Sequence, residues 1–82
     1  MTQRKTYSAI VPQSKNVVAY TGTRNVRYAT FARWDNDKSA GNYAWQHIGW
    51  SSAKRYEDAV RAAKSTAPYA SEYHATPARQ HD

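Results

Sequence analysis

A run of alternating basic and aromatic residues, NVRYATFARW (residues 25–34), has the residue types best suited to binding chemistry in this sequence. Successive side chains of a β-strand point to opposite faces, so the run predicts a strand with Arg27, Phe31 and Arg33 on one face. The other face, which ends in Trp34, is the more apolar and the better candidate for the core. We therefore expect Phe31 to lie outside the core, between two arginines.

A second aromatic run, YAWQHIGW (residues 43–50), predicts another strand with the same ambiguity of faces. If Ile48 points into the core, Tyr43 and Trp45 share the outer face with Phe31. Aromatic rings stack on unpaired nucleobases at roughly 1–3 kcal/mol per base, and arginines bind the phosphates. The two strands together predict a nucleic-acid-binding face on a sheet, and a sheet can also enter the major groove of duplex DNA.

The distribution of charge supports a polyanionic partner. The net charge is +6, and residues 1–34 contain six bases and no acid. Residues 35–82 contain six bases and six acids, so the whole excess lies in the first part of the chain. Such asymmetry favours DNA or RNA as the partner. A generally basic surface without a specific partner is the alternative, because no run of five or more basic residues is present.

The candidate binding residues follow from these two observations. We expect Arg24, Arg27 and Arg33 to contact phosphates. We expect Phe31 and Trp45 to stack on bases. The complete set of residues expected to bind nucleic acid or a partner is Arg24, Arg27, Phe31, Arg33, Trp45, Tyr43, Lys5 and Lys15, the two lysines adding non-specific attraction.

No catalytic or metal constellation is recognisable. His47 falls in a predicted strand, whereas His74 and His81 fall near the end of the chain, and no HExxH spacing occurs. The three glycines are scattered, so no glycine-rich phosphate loop is present, and no serine lies in a nucleophile elbow. We therefore expect a protein that is not an enzyme, with no metal and no cofactor.

The loop DNDKSAGN (residues 35–42) has the acidic spacing of a calcium loop in its first half only. An EF-hand loop needs glycine at its sixth position and a bidentate glutamate at its twelfth. These positions are occupied by Ala40 and Gln46. We therefore interpret the segment as a hairpin loop rich in turn-forming residues.

The core available to position these residues is small. The chain has 82 residues, no cysteine, no leucine and only eight Val, Ile and Phe residues. Eleven aromatic residues compensate, since each can bury roughly 150–250 Å². We expect a single domain with a core of Trp, Tyr and Val packed against alanine.

The pattern of β-prone runs predicts an antiparallel sheet. The runs cover residues 5–11, 17–22, 25–34 and 43–50, and turn-forming residues separate them. The connections are too short for parallel neighbours, which need a crossover of a dozen or more residues. The fold class expected is α+β: an antiparallel β-meander of three to four strands followed by one amphipathic α-helix, with a polar C-terminal tail.

Residues 52–64 predict the helix, with Ser51 or Ser52 as its N-cap. Apolar residues recur at the 3, 4, 3 spacing of one helical face, and they are Ala53, Tyr56, Val60 and Ala63. Pro68 ends the run. One such helix covers only one face of a sheet, so the second face is left for another occupant.

The domain is expected to comprise residues 1–67, and residues 68–82 are expected to form a tail that is a short helix beginning near Thr66 or is partly disordered. If the tail folds back instead, Tyr69 and Tyr73 cover the face that carries Phe31.

A protein partner is the main alternative to nucleic acid. Tyr, Trp and Arg are enriched at interface hot spots, so the aromatic face equally suits a sheet-to-sheet homodimer or a small phage-type inhibitor or adaptor that docks on a larger enzyme. No apolar run approaches the roughly 20 residues of a membrane span, and the N-terminal residues lack the apolar region of a signal peptide. We expect a cytoplasmic protein that does not bind membranes.

Overall fold

The computed structural model describes residues 4–35, 41 and 43–81. Within these ranges the backbone forms six strands and an 11-residue helix, so the fold class is α+β as predicted. In chain order the elements are β1 (Lys5–Ile10), β2 (Val17–Gly22), β3 (Tyr28–Arg33), β4 (Gln46–Ser51), α1 (Tyr56–Thr66), β5 (Glu72–Pro77) and β6 (Arg79–His81). Most of the loop DNDKSAGN, residues 36–40 and 42, lies outside the described residues.

The strands form two antiparallel sheets rather than one meander. The strand orders are β2-β1-β6 and β4-β3-β5. The two predicted hairpins, β1–β2 and β3–β4, are both present. However, β2 does not pair with β3, so the predicted meander matches only in its two halves. Each hairpin receives its third strand from the C-terminal part of the chain.

The C-terminal strands join the two sheets. β5 pairs with β3 from Arg33↔Glu72 to Tyr28↔Pro77, and β6 then pairs with β1. Between them the Ala78 amide donates to the Arg27 carbonyl oxygen at 2.8 Å, which continues the ladder up to the bend. The prediction of a short helix in this tail is wrong, because pairing with the open edges of β1 and β3 satisfies its backbone groups instead.

The helix begins later than predicted and without a side-chain cap. Its N-cap residue is Arg55, which makes no capping hydrogen bond. Ser51 is the last residue of β4, and its Oγ accepts from the Ala53 amide at 3.1 Å within the connection. The serine expected to cap the helix therefore stabilises the turn that precedes it.

The helix packs on the β4-β3-β5 sheet through alanine. Ala59 and Ala63 are 0% and 1% exposed, which lets the helix backbone approach the strands closely. Tyr56, which was expected on this face, is 45% exposed and packs edge-on against Tyr28 at a ring separation of 6.3 Å. The buried stripe is thus rotated from the predicted one, and its small side chains bring the helix close to β3.

β3 is covered on both faces. Thr30 and Ala32 are buried on the parity of Tyr28, the side on which the helix packs. Phe31 is 0% exposed on the opposite parity, so the prediction that it lies on an open face is wrong. The residues packed around Phe31 are Ala9, Val11, Val18, Ala29, Trp45 and Trp50, and they show that the β1–β2 hairpin covers this face. No helix among the described residues is long and apolar enough to cross a membrane.

Candidate nucleic-acid interface

The eight predicted site residues do not form one surface. Phe31 lies in the core. Four others lie at the end of the molecule where β3 finishes. They are Arg33, Tyr43, Trp45 and, in the nearby β1–β2 turn, Lys15. The remaining three lie at the opposite end, near the first residues of β1 and β3. They are Lys5, Arg24 and Arg27.

Arg33 is enclosed by aromatic rings and a carboxylate. Its guanidinium carbon lies 4.4 Å from the ring centroids of both Tyr43 and Trp45. Its Nε donates to Glu72 Oε2, and the Tyr43 hydroxyl donates to the same oxygen. The hydrogen bond from Arg33 to Glu72 raises the pKa of Arg33, and the one from Tyr43 raises the pKa of that phenol. The charge of Arg33 is therefore compensated within the fold, and this geometry does not support phosphate binding by Arg33.

Trp45 belongs to this enclosed group and not to an open platform. Its side chain is partly buried against Phe31, and its ring also packs against His74 at a centroid distance of 5.8 Å. Its Nε1 is buried and has no hydrogen-bond partner among the described residues. With Phe31 inside and Trp45 packed on the core, the expected aromatic platform for stacking bases is not present on this sheet face.

The opposite end carries a groove of about 420 Å³, which we call the basic groove. It lies between the start of β3, the connection after β4 and the bend between β5 and β6. The side chains that matter for its chemistry are Tyr7, Asn25, Arg27, Tyr28, Lys54 and Gln80. Two cations, two phenols and two amides thus line the groove, and none of its described lining residues is a carboxylate.

Four cations surround the basic groove. Arg27 and Lys54 line it and are exposed. Lys5 reaches its edge by donating to Asn25 Oδ1, and Arg24 lies with its guanidinium carbon 5.6 Å from the ring centroid of Tyr20. Among the described residues none of these four cations makes an ion pair, since the carboxylates in ion pairs are Glu57, Asp58 and Glu72. Within the part of the chain that the structure describes, no carboxylate compensates the positive charge at this end.

The backbone around the groove is held in place by hydrogen bonds to the end of β4 and to the bend after β5. The Arg27 amide donates to the Ser51 carbonyl oxygen at 2.8 Å, and the Arg27 carbonyl accepts from the Ala78 amide at 2.8 Å. Ser52 Oγ donates to the Asn25 carbonyl oxygen. Segments from three parts of the chain are thus joined at residues 25–27, so the side chains that leave this point start from an ordered frame.

Several groove residues were not among the sequence candidates. Lys54 lies in the charge-balanced part of the chain, so the asymmetry of charge did not indicate it. Gln80 reaches the groove because β6 pairs with β1, where Gln80 lies opposite Tyr7. That pairing joins residues far apart in the sequence, and no local pattern signals it. Asn25 opens the predicted strand run at residues 25–34, and nothing in that run marks it as a binding residue.

The three histidines have separate surroundings. His47 lies with its ring 5.4 Å from that of Phe31, and burial lowers the pKa of His47. His74 Nδ1 lies 3.2 Å from the Tyr56 hydroxyl, whereas His81 lies in β6. Among the residues that the structure describes, no three His, Asp or Glu side chains form a group that could hold a metal ion.

Comparisons with known proteins add no relative to this description. No protein-family model matches the chain, and neither a curated protein nor a solved structure matches it.

Proposed function

We propose that this protein is a small non-enzymatic accessory protein that binds nucleic acid through the basic groove. The observation that carries the proposal is a groove lined by Arg27 and Lys54, with Lys5 and Arg24 beside it and no carboxylate among its described lining residues. Binding to the phosphate backbone requires such a local excess of positive charge, because the released counterions supply much of the affinity.

The proposed surface differs from the sheet face expected from the sequence. Arg24 and Arg27 keep their proposed role as phosphate ligands, Lys5 keeps its role of non-specific attraction, and Lys54 joins them. Arg33 is paired with Glu72, and Phe31 is buried, so neither is part of the proposed surface. The proposal therefore moves the interface from a face of the sheet to one end of the molecule.

The salt dependence of binding tests the proposal. Labelled single-stranded and duplex oligonucleotides are titrated with the protein from about 50 to 200 mM salt, and fluorescence anisotropy reports binding. Four phosphate contacts predict a slope of log K against log salt of about −3 for a single strand, since each contact contributes about −0.7. Absence of binding to every oligonucleotide at about 50 mM salt would contradict the proposal.

A matched pair of charge variants locates the site. Arg24→Glu, Arg27→Glu removes one cation that lines the groove and one next to the lining residue Asn25 in the chain, and we expect it to abolish most binding while thermal stability is retained. The control Lys15→Glu, Lys64→Glu makes the same change in net charge at residues that do not line the groove. Equal losses in the two variants would show attraction by net charge only, and the proposed groove would be wrong.

A protein partner is the second candidate, and one observation favours it. Ile10 and Val17 are 57% and 62% exposed and lie opposite each other where the β1–β2 hairpin turns. Exposed apolar pairs of this kind occur at interaction sites. Light scattering after size exclusion should then show a defined oligomer that Ile10→Ser, Val17→Ser disrupts. A monomer at all concentrations would exclude self-association through this pair.

A further inference from the structure

We propose that the basic groove accepts one unpaired nucleobase, so that the protein binds single strands in preference to duplexes. This inference rests on the proposed function, and it adds the form of nucleic acid that the site recognises. It is carried by the aromatic and amide side chains of the groove and not by its cations.

The size and walls of the groove suit a planar, partly apolar ligand. Its volume of about 420 Å³ falls in the lower part of the range of roughly 300–1,000 Å³ that small-ligand pockets occupy. Tyr7 is 5% exposed and Tyr28 is partly buried, so both rings have restricted positions before any ligand arrives. Pro77 and Ala78 add apolar surface where the chain bends from β5 to β6. A base that enters would therefore contact walls that need little ordering.

The orientation of Asn25 supplies hydrogen-bond donors. Lysine can only donate hydrogen bonds, so the side-chain atom of Asn25 that contacts Lys5 Nζ must be the carbonyl oxygen. The Tyr7 hydroxyl also donates to this oxygen, at 3.4 Å. The amide nitrogen of Asn25 keeps its two donors, and no described residue accepts from them. These donors suit the carbonyl oxygens and ring nitrogens on the edge of an unpaired base.

A second amide and the cations complete the site. Gln80 lines the groove and is exposed, and its side chain provides both a donor and an acceptor. Arg27 and Lys54 line the same groove, where they can contact the phosphates on either side of the inserted base. The amides read the base, and the cations bind the backbone.

The preference for single strands follows from the free energy of exposing a base. In a duplex, a base must be unpaired and unstacked before it can enter a pocket, whereas in a single strand it is already unpaired. Only the phosphate contacts would remain for a duplex. The structure therefore predicts tighter binding of the single strand, although the duplex has the higher charge density.

The experiment compares three labelled probes on the unchanged protein. They are a single-stranded DNA of mixed sequence, a hairpin duplex of the same sequence, and a single strand of equal length whose central nucleotides are abasic. We expect the intact single strand to bind at least tenfold more tightly than either other probe at about 100 mM salt, where phosphate contacts are partly screened.

Two amide variants then locate the base contact. Gln80→Ala and Asn25→Ala should each weaken binding of the intact single strand several-fold and leave the slope against salt unchanged, because neither removes a cation. Neither should change binding of the abasic probe. The control Asn16→Ala removes an amide in the β1–β2 turn, outside the groove, and should have no effect on any probe.

The outcomes separate this inference from the function on which it rests. Equal affinity for all three probes, with loss of binding in Arg24→Glu, Arg27→Glu, would overturn the base pocket and leave nucleic-acid binding intact. Failure of every probe to bind would overturn the proposed function itself. The abasic probe tests the inference on the unchanged protein, so a variant that misfolds cannot obscure the result.

Discussion

Arg27 immediately precedes β3 and Arg33 is its last residue, yet the two side chains have opposite surroundings. Arg33 has a side chain that is 17% exposed, it lies between two aromatic rings, and it pairs with Glu72. Arg27 is exposed beside a groove lined without a carboxylate. Arg27 lies four residues before Phe31 and Arg33 lies two residues after it, and this even spacing predicted that all three share one face.

The difference between the two arginines comes from what the C-terminal strand places beside each of them. β5 begins opposite Arg33 with Glu72, which supplies a carboxylate. The strand then passes Arg27 at Pro77 and Ala78, which supply only backbone and apolar surface. An arginine is therefore structural or available for binding according to its distant neighbours, and the residues adjacent to it in sequence do not decide this.

The largest effect is expected at Phe31, which lies between the two ends and supports both. Phe31→Ala should lower the free energy of unfolding by about 3–5 kcal/mol, because it leaves a cavity in a fully buried cluster. Urea denaturation measures the change. The control Tyr69→Ala, at a side chain that is 91% exposed, should change stability by less than about 0.5 kcal/mol. Similar stabilities for the two variants would show that Phe31 is not the centre of the core.

A smaller effect is expected when the two arginines are exchanged for an apolar side chain of similar length. Arg33→Met should lower the thermal midpoint, by less than Phe31→Ala does, because it removes the partner of Glu72 and the contacts with Tyr43 and Trp45. Arg27→Met should leave the midpoint nearly unchanged and weaken oligonucleotide binding. The opposite pattern would mean that Arg33 is the available arginine, and the contrast between the two ends would be wrong.

His47 should make stability depend on mildly acidic pH. Burial lowers the pKa of His47 below 6.5, so the folded state favours the neutral ring. Its contribution to stability is present above the unfolded pKa of 6.5 and is lost as the pH falls through the folded pKa. Urea midpoints between about pH 5 and 7 measure the effect, above the range in which carboxylates titrate. The urea midpoint of His47→Gln should change less across this range than that of the unchanged protein. An identical pH profile would contradict the assignment of this pH dependence to His47.

The smallest effect is expected from Tyr43 at high pH. Its hydrogen bond to Glu72 raises the pKa of the phenol above 10.0, so the folded state favours the protonated form. Its stabilising contribution is present below pH 10.0 and is lost as the pH rises through the folded pKa. Absorbance titration should show that Tyr43→Phe lacks one phenol, and that the missing phenol is one with a raised pKa. If the phenol missing from the variant is instead one that titrates at the ordinary pKa, Tyr43 does not donate to Glu72.

Much of the fold could be predicted because its elements have local signals. Alternation and turn residues indicated β1 to β4, and the change to a helical period indicated α1. β5 and β6 could not be predicted, because EYHATP and RQH are short and pair with strands that are distant in the sequence. The burial of Phe31 could not be predicted either, because the β1–β2 hairpin packs over the face of β3 that carries Phe31, and no local pattern indicates that packing.

The candidate site was less predictable than the fold. The bases before Asp35 include Lys5, Arg24 and Arg27, which the structure places at one end, but also Lys15 and Arg33, which it places at the other. The aromatic residues were assigned to the wrong surface, because period two identifies two faces but does not say whether a second layer covers one of them. Whether this basic group binds nucleic acid stays a prediction.

By itself, the sequence determined where β1 to β4 and the helix begin and end, to within a few residues, and that all the excess positive charge precedes Asp35. These are properties of short segments and of composition. Only the tertiary structure decided that Phe31 is enclosed, that Arg33 is paired and that Arg27 is left beside an open groove. Each of those outcomes depends on residues that are distant in the chain and become neighbours when the C-terminal strands close both sheets.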